Sequence, residues 1–173
     1  MAHVKFVARV LIAACFAQAA WAAAAEGKAE TALVRVVYVD PEKFTDVGDR
    51  YYPSDETRNA YLTDLKKYIV RRAKPLLKPD ERLVIAISNI DMAGSFEPGR
   101  YTQTYGRIIR DVYPPRIDLS FTITGPGGVV VKSGERKLRD LTFLAPTVHP
   151  RTDPLRYEKK LLDDWLRQEL GGG

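Results

Sequence analysis

Residues 116–133 read RIDLSFTITGPGGVVVKS, and this stretch decides the fold. Ile117, Leu119, Phe121 and Ile123 alternate with Asp118, Ser120, Thr122 and Thr124. A period of two puts the four apolar side chains on one side, so this is a strand with one buried face. Gly125-Pro126-Gly127-Gly128 is a hairpin turn by composition. Val129 to Ser133 pairs back, Gly134 suggests a bulge, and Leu138 to Phe143 extends the return strand. Such a hairpin must bury its apolar face against other elements.

Those elements lie on both sides of it. Downstream, a proline-rich loop from Pro146 to Pro154 leads to a helix, with Asp153 as cap and Pro154 at its first position. Leu155, Leu161, Leu162, Trp165, Leu166 and Leu170 form its apolar stripe. Upstream, Leu83 to Ile90 is nearly free of charge and apolar on both faces, which predicts a central strand covered on both sides. Before it, Tyr61, Leu65, Tyr68, Ile69 and Leu76 recur at helical spacing. Ser54 caps that helix, Asp55 and Glu56 suit its positive end, and Pro75 stops it. Leu33 to Val39 is a mostly buried strand ended by Asp40-Pro41. Asp91 to Gly106 is a long loop, and Arg107 to Val112 reads as a short strand broken by Pro114-Pro115. The expected fold is α+β: a mixed or antiparallel sheet of about four to five strands, with two amphipathic helices packed on one face.

The chain opens with Lys5 and Arg9, then an uncharged apolar run from Val10, then Ala20-Trp21-Ala22 and Ala22-Ala23-Ala24. That order is a secretory signal peptide. The domain plan is residues 1–24 as signal peptide, cleaved near Ala22 to Ala25, residues 25–32 as tether, and residues 33–170 as a single α+β domain. The expected location is the periplasm. A membrane anchor needs about 18 or more apolar residues, and this run is shorter. Ile12-Ala13-Ala14-Cys15 offers lipidation of Cys15 as a rival, but only five residues separate Arg9 from Cys15. An alanine-rich tract also follows where a lipoprotein turns polar.

Cleavage changes the composition. The chain has 27 Lys and Arg against 22 Asp and Glu; without Lys5 and Arg9 the count is 25 against 22, a net +3. That is too balanced for a nucleic-acid protein. Cys15, the one cysteine, leaves with the leader, so no disulfide, thiol nucleophile or thiolate ligand is expected. Burial of about 70% of the unfolded surface at this length needs no staple.

Several pieces resemble a family. They are Val36-Val37-Tyr38-Val39-Asp40-Pro41-Glu42, Phe44-Thr45-Asp46, Asn89-Ile90-Asp91-Met92-Ala93-Gly94 and Asp111-Val112-Tyr113-Pro114-Pro115-Arg116-Ile117. Asp140, Tyr157-Glu158-Lys159 and Asp164-Trp165 also fit. In this order they resemble the secreted bacterial family catalogued as domain of unknown function number three thousand and sixteen. The resemblance runs from about Leu33 to Trp165. It implies Gram-negative export and a small α+β domain, and it brings no activity, cofactor or catalytic residue.

The residues themselves offer four places to look. Asp91 follows the central strand, where α/β proteins often place chemistry; it equally suits a turn in which Gly94 supplies a positive φ. Arg100, Tyr101, Tyr105, Arg107, Arg110, Tyr113 and Arg116 interleave guanidinium and aromatic groups, which grip anions and stack on rings. The plainer alternative is a solvated loop whose arginines pair with Asp111, Asp118 and Asp140. The acids Asp40, Glu42, Asp46 and Asp49 do not have EF-hand spacing, because Phe44 stands where an oxygen ligand belongs. His149 is the one histidine outside the leader and has no serine or carboxylate at motif spacing.

The expected ligand-binding set is Asp91, Arg100, Arg107, Tyr113 and Arg116. No catalytic residue, metal site or cofactor is assigned, and neither is an oligomeric state. The expected protein is a non-enzymatic binding or accessory protein of the bacterial envelope, with an anionic envelope component or a protein as partner, no nucleic acid and no membrane span. The alternative is a carboxylate-based hydrolase using Asp91 with Asp111 or Asp140. A structural subunit that lends its sheet edge to an assembly is a third reading.

Overall fold

The computed structural model describes residues 33–48, 54–96 and 107–171. The leader, the tether, Asp49, Arg100, Tyr101 and Tyr105 lie outside them. Four strands form one sheet in the order β1 (Val34–Tyr38), β2 (Arg82–Asp91), β3 (Arg116–Thr124) and β4 (Val130–Arg139). β1 runs parallel to β2, and the other two pairings are antiparallel. Two helices, α1 (Asp55–Ala73) and α2 (Arg156–Leu170), pack on one face, so the α+β expectation holds with a mixed sheet of four strands.

The alternation in β3 does what its period requires. Ile117, Leu119, Phe121 and Ile123 are buried under the helices, with Val34, Val36, Leu83, Ile85 and Ile87 beside them. α1 adds Leu62, Leu65, Ile69 and Ala73, and α2 adds Leu161, Leu162, Trp165 and Leu166. Trp165 meets Phe121 edge-on, with ring centroids 5.7 Å apart. Ser54 caps α1 by accepting from the Thr57 N–H at 3.0 Å. Pro75 then tightens the chain into the 3-10 turn Lys74–Leu76. At the far edge, the Glu169 carboxylate of α2 receives Lys132 and Arg136 of β4.

Five expectations need correction. Arg107 to Val112 is not a strand: Ile108 makes a single bridge with Ser95, and Tyr113 closes a turn on the Arg110 carbonyl. Two isoleucines before a double proline are too few to hold a ladder. β2 is central, but among the described residues no helix covers its second face, and Val84 is 41% exposed. Its apolar character reflects β-propensity as much as burial. The bulge lies between Ile123 and Thr124, where the pairing skips Val131, and not at Gly134. Gly134 opposes Phe121, and a Cβ there would stand 2.7 Å from Arg136, whose guanidinium lies over the Phe121 ring. β4 ends at Arg139 rather than running on to Phe143, because Asp140 turns the chain by accepting from Thr142. α2 starts at Arg156, two residues late: Asp153 accepts from the Leu155 N–H at 2.9 Å and so caps a turn ahead of the helix.

Candidate functional site

The C-terminal ends of β1 and β2 and the entry to β3 enclose a cleft of about 530 Å³, within the range of ligand pockets. Its walls come from three segments: 44–48, 91–96 and 112–116. Each is held there by a local bond. Asn89 takes the Thr45 N–H at 2.8 Å and donates to Thr45 Oγ1 at 3.0 Å. Asp46 then runs beside the end of β2: its N–H donates to Ile90 and its carbonyl accepts from Met92, both at 3.1 Å. Gly94 sits at φ +84, a left-handed position. A Cβ there would fall 2.6 Å from Ile109 Cδ1 and 2.7 Å from the Ile108 carbonyl, so only glycine fits. Gly94 N–H donates to the Tyr113 carbonyl at 2.9 Å, which joins the second wall to the third.

Of the five expected ligand-binding residues, Asp91, Tyr113 and Arg116 line this cleft together, and Arg100 lies outside the described residues. Arg107 stands behind the wall. Its guanidinium grips Asp46 through both ends, at 2.8 and 2.9 Å. It also donates to the carbonyls of Gly94 and Gly48 at 3.2 Å and of Met92 at 3.4 Å. The Phe96 ring lies 4.6 Å beneath it. Arg107 is therefore the structural arginine rather than one open to a ligand, and Arg110 is exposed. Arg116 is half exposed, with Nη1 3.8 Å from the Asp91 carboxylate, its cross-strand neighbour.

Arg107 and Arg116 do pair with carboxylates, though with Asp46 and Asp91 rather than Asp111, Asp118 or Asp140. Asp140 is held by Lys160 and Thr142, and Asp111 is exposed in the turn; neither lines the cleft. Burial raises the Asp91 carboxyl above its usual range; Arg116 opposes that shift and the negative Asp46 adds to it. Among the described residues, the acids of the first loop do not converge: Asp40 takes Lys43 while Asp46 faces Arg107.

Two clusters escaped the sequence reading. His149 Nε2 lies 3.2 Å from Asp163 Oδ2 and 3.4 Å from the Tyr68 hydroxyl. Tyr68 donates to Asp163 Oδ2 at 2.7 Å and Arg72 Nε donates to Asp163 Oδ1 at 2.8 Å, so the carboxylate that spacing did not show arrives from α2. This group joins α1 to α2 and is not part of the cleft lining. The second is Glu158 on α2, fully buried, whose Oε1 accepts the Ala93 N–H at 2.7 Å. Its Oε2 has no partner among the described residues. Burial pushes its carboxyl up to about 7, against the pull of the Ala93 amide. Its neighbours in sequence, Tyr157 and Lys159, gave no hint of this.

A family model described as "Protein of unknown function (DUF3016)" matches residues 32–168. No curated protein and no solved structure matches. No helix among the described residues is long and apolar enough to cross a membrane.

Proposed function

We propose, for a chain that belongs to the DUF3016 family, an exported binding protein of the bacterial envelope whose cleft takes a glycan segment. One observation carries the ligand class: among the described residues, Arg116 in the cleft and Arg107 behind its wall already face carboxylates, Asp91 and Asp46. These two acids and two arginines, taken by themselves, sum to no net charge. An anion would have to displace a carboxylate from its arginine, whereas a hydroxyl-rich neutral ligand accepts from Arg116 and donates to Asp91 at once. Phe44 and Tyr113 in the walls add apolar and aromatic surface for a sugar ring. The envelope supplies such a ligand as the glycan strand of peptidoglycan. Export rests on the leader read above.

The test is calorimetry with soluble peptidoglycan glycan fragments, against lipopolysaccharide and vesicles of anionic phospholipid. Asp91→Asn and Arg116→Ala should each weaken glycan binding by about tenfold, the loss of one charge-assisted hydrogen bond. Tighter binding to the anionic probes would refute the ligand class. Intact mass of the exported protein tests the location: a mass that retains Met1, or a lipid on Cys15, refutes a cleaved, soluble product.

The raised Asp91 carboxyl beside Asp46 favours a second reading, a carboxylate hydrolase. In it Asp91 is the acid, and Asp46 takes the place of Asp111 or Asp140 as its partner. Release of reducing ends from the same glycan fragments, abolished by Asp91→Asn, would select this reading over simple binding.

A further inference from the structure

The segment Met92-Ala93-Gly94 is gripped at every peptide group. Met92 N–H goes to the Asp46 carbonyl and Gly94 N–H to the Tyr113 carbonyl. The carbonyls of Met92 and Gly94 accept from Arg107. The Ala93 N–H, in the middle, points the other way and is taken by Glu158. Met92 and Gly94 line the cleft, while Ala93 is buried in a small cluster with Phe143 and Tyr157, flanked by Ile109. One side of the segment is thus held by a cation and the other by a carboxyl group.

We propose that Glu158 is a positioning residue of the cleft: it fixes the Met92–Gly94 wall through the Ala93 amide, and gain or loss of its proton resets the Arg107–Asp46 clamp across that wall. This rests on the reading of the cleft as the binding site. The geometry supplies the reason. A carboxyl group with one amide partner, one bare oxygen and apolar neighbours is costly to ionise. Two cations act on it: Arg107 from the segment behind the cleft wall, and Arg156 from its own helix. Arg156 is committed to the Tyr157 hydroxyl at 2.9 Å and lies over that ring. Phe143 and Ile109 bring no charge. The carboxylates of Asp46 and Asp91 lie on the far side of the segment, where Arg107 and Arg116 meet them. When Glu158 loses its proton, Arg107 is the cation that answers, and what it yields is its hold on Asp46. Asp46 is a cleft wall, so the charge presented to a ligand changes with pH.

The experiment uses the full chain, isotopically labelled, with no ligand added. The amide signals of Ala93 and Gly94, the Arg107 Nε–H signal and the Glu158 side-chain carboxyl carbon are followed by NMR from pH 5 to 9. All four should share one midpoint near 7, and the step at Ala93, Gly94 and Arg107 should vanish in Glu158→Gln. Three results would overturn the proposal: no step at Ala93, a step that survives in Glu158→Gln, or a Glu158 titration that leaves Arg107 unmoved. If Glu158→Gln does not fold, the wild-type midpoints decide alone, and carboxyl and amide midpoints that differ overturn it. Because no ligand enters the measurement, failure to bind glycan would sink the ligand class and leave this result standing.

Discussion

Replacing Arg107 with alanine breaks the joint that holds two walls of the cleft. Its side chain is 13% exposed and that of Asp46 is 30% exposed, so the pair lies between two regimes. A surface ion pair contributes about 0–1 kcal/mol. Breaking a fully buried pair costs about 3–5 kcal/mol, because the remaining charge loses its partner. Arg107→Ala also leaves the Met92 and Gly94 carbonyls without their donor and uncovers the Phe96 ring. An intermediate loss of about 2–3 kcal/mol is expected. With a urea slope of about 1–3 kcal/mol per M, the denaturation midpoint should fall by about 0.7–3 M. Asp46→Asn should cost less, because the carbonyl contacts of Arg107 survive. The double mutant should show a coupling of at least about 1 kcal/mol, beyond the scatter of independent sites. An Arg107→Ala midpoint equal to that of wild type, or additive effects of Arg107 and Asp46, would refute the clamp.

Two further outcomes follow from buried groups. Trp165→Ala removes an indole that is 3% exposed and packed on Phe121, and should cost about 3–5 kcal/mol in urea denaturation; an unchanged midpoint would make α2 peripheral. Glu158 links stability to pH. Its folded-state value of about 7 stands above its ordinary 4.5, so between these pH values the folded protein keeps a proton that the unfolded chain has released. The stability it contributes is fully present below pH 4.5 and is lost as pH rises through 7, by about 3 kcal/mol. Glu158→Gln should therefore gain on wild type by that amount between pH 4.5 and 8; parallel stability curves would show that the carboxyl does not titrate there.

The strands and helices were legible because each carries a periodic apolar pattern. The β3 alternation and the Ser54 cap came through unchanged. Reading failed where a charge, rather than a period, decides the conformation. Arg107 was taken as a strand residue open to a ligand, because the two isoleucines after it suit a strand. It is drawn inward by Asp46, some sixty positions earlier, and no local pattern reports that. Asp91 was singled out because it ends the central strand, and Tyr113 and Arg116 because they belong to the arginine and tyrosine series; the fold places all three along one cleft. Glu158 and Asp163 went unseen because on a helical wheel they read as surface acids. Their burial depends on partners at Ala93 and on Tyr68, Arg72 and His149, which only the tertiary fold brings near.

The mixed sheet sets an order for folding. β3 and β4 are joined by residues 125–129 alone, so their pairing closes a very short loop. β1 and β2 pair only after residues 39–81, with all of α1, have been looped out. Loop-closure entropy makes the first pairing fast and the second slow. The hairpin and its β2 neighbour can therefore assemble as a meander before β1 docks on the open edge of β2. The cleft needs both β1 and β2 for its first wall, so it forms late, after most of the core is in place. A chain truncated before β3 would keep β2 but lose the hairpin that β2 joins early, so β1 would have only an unsupported strand to dock on.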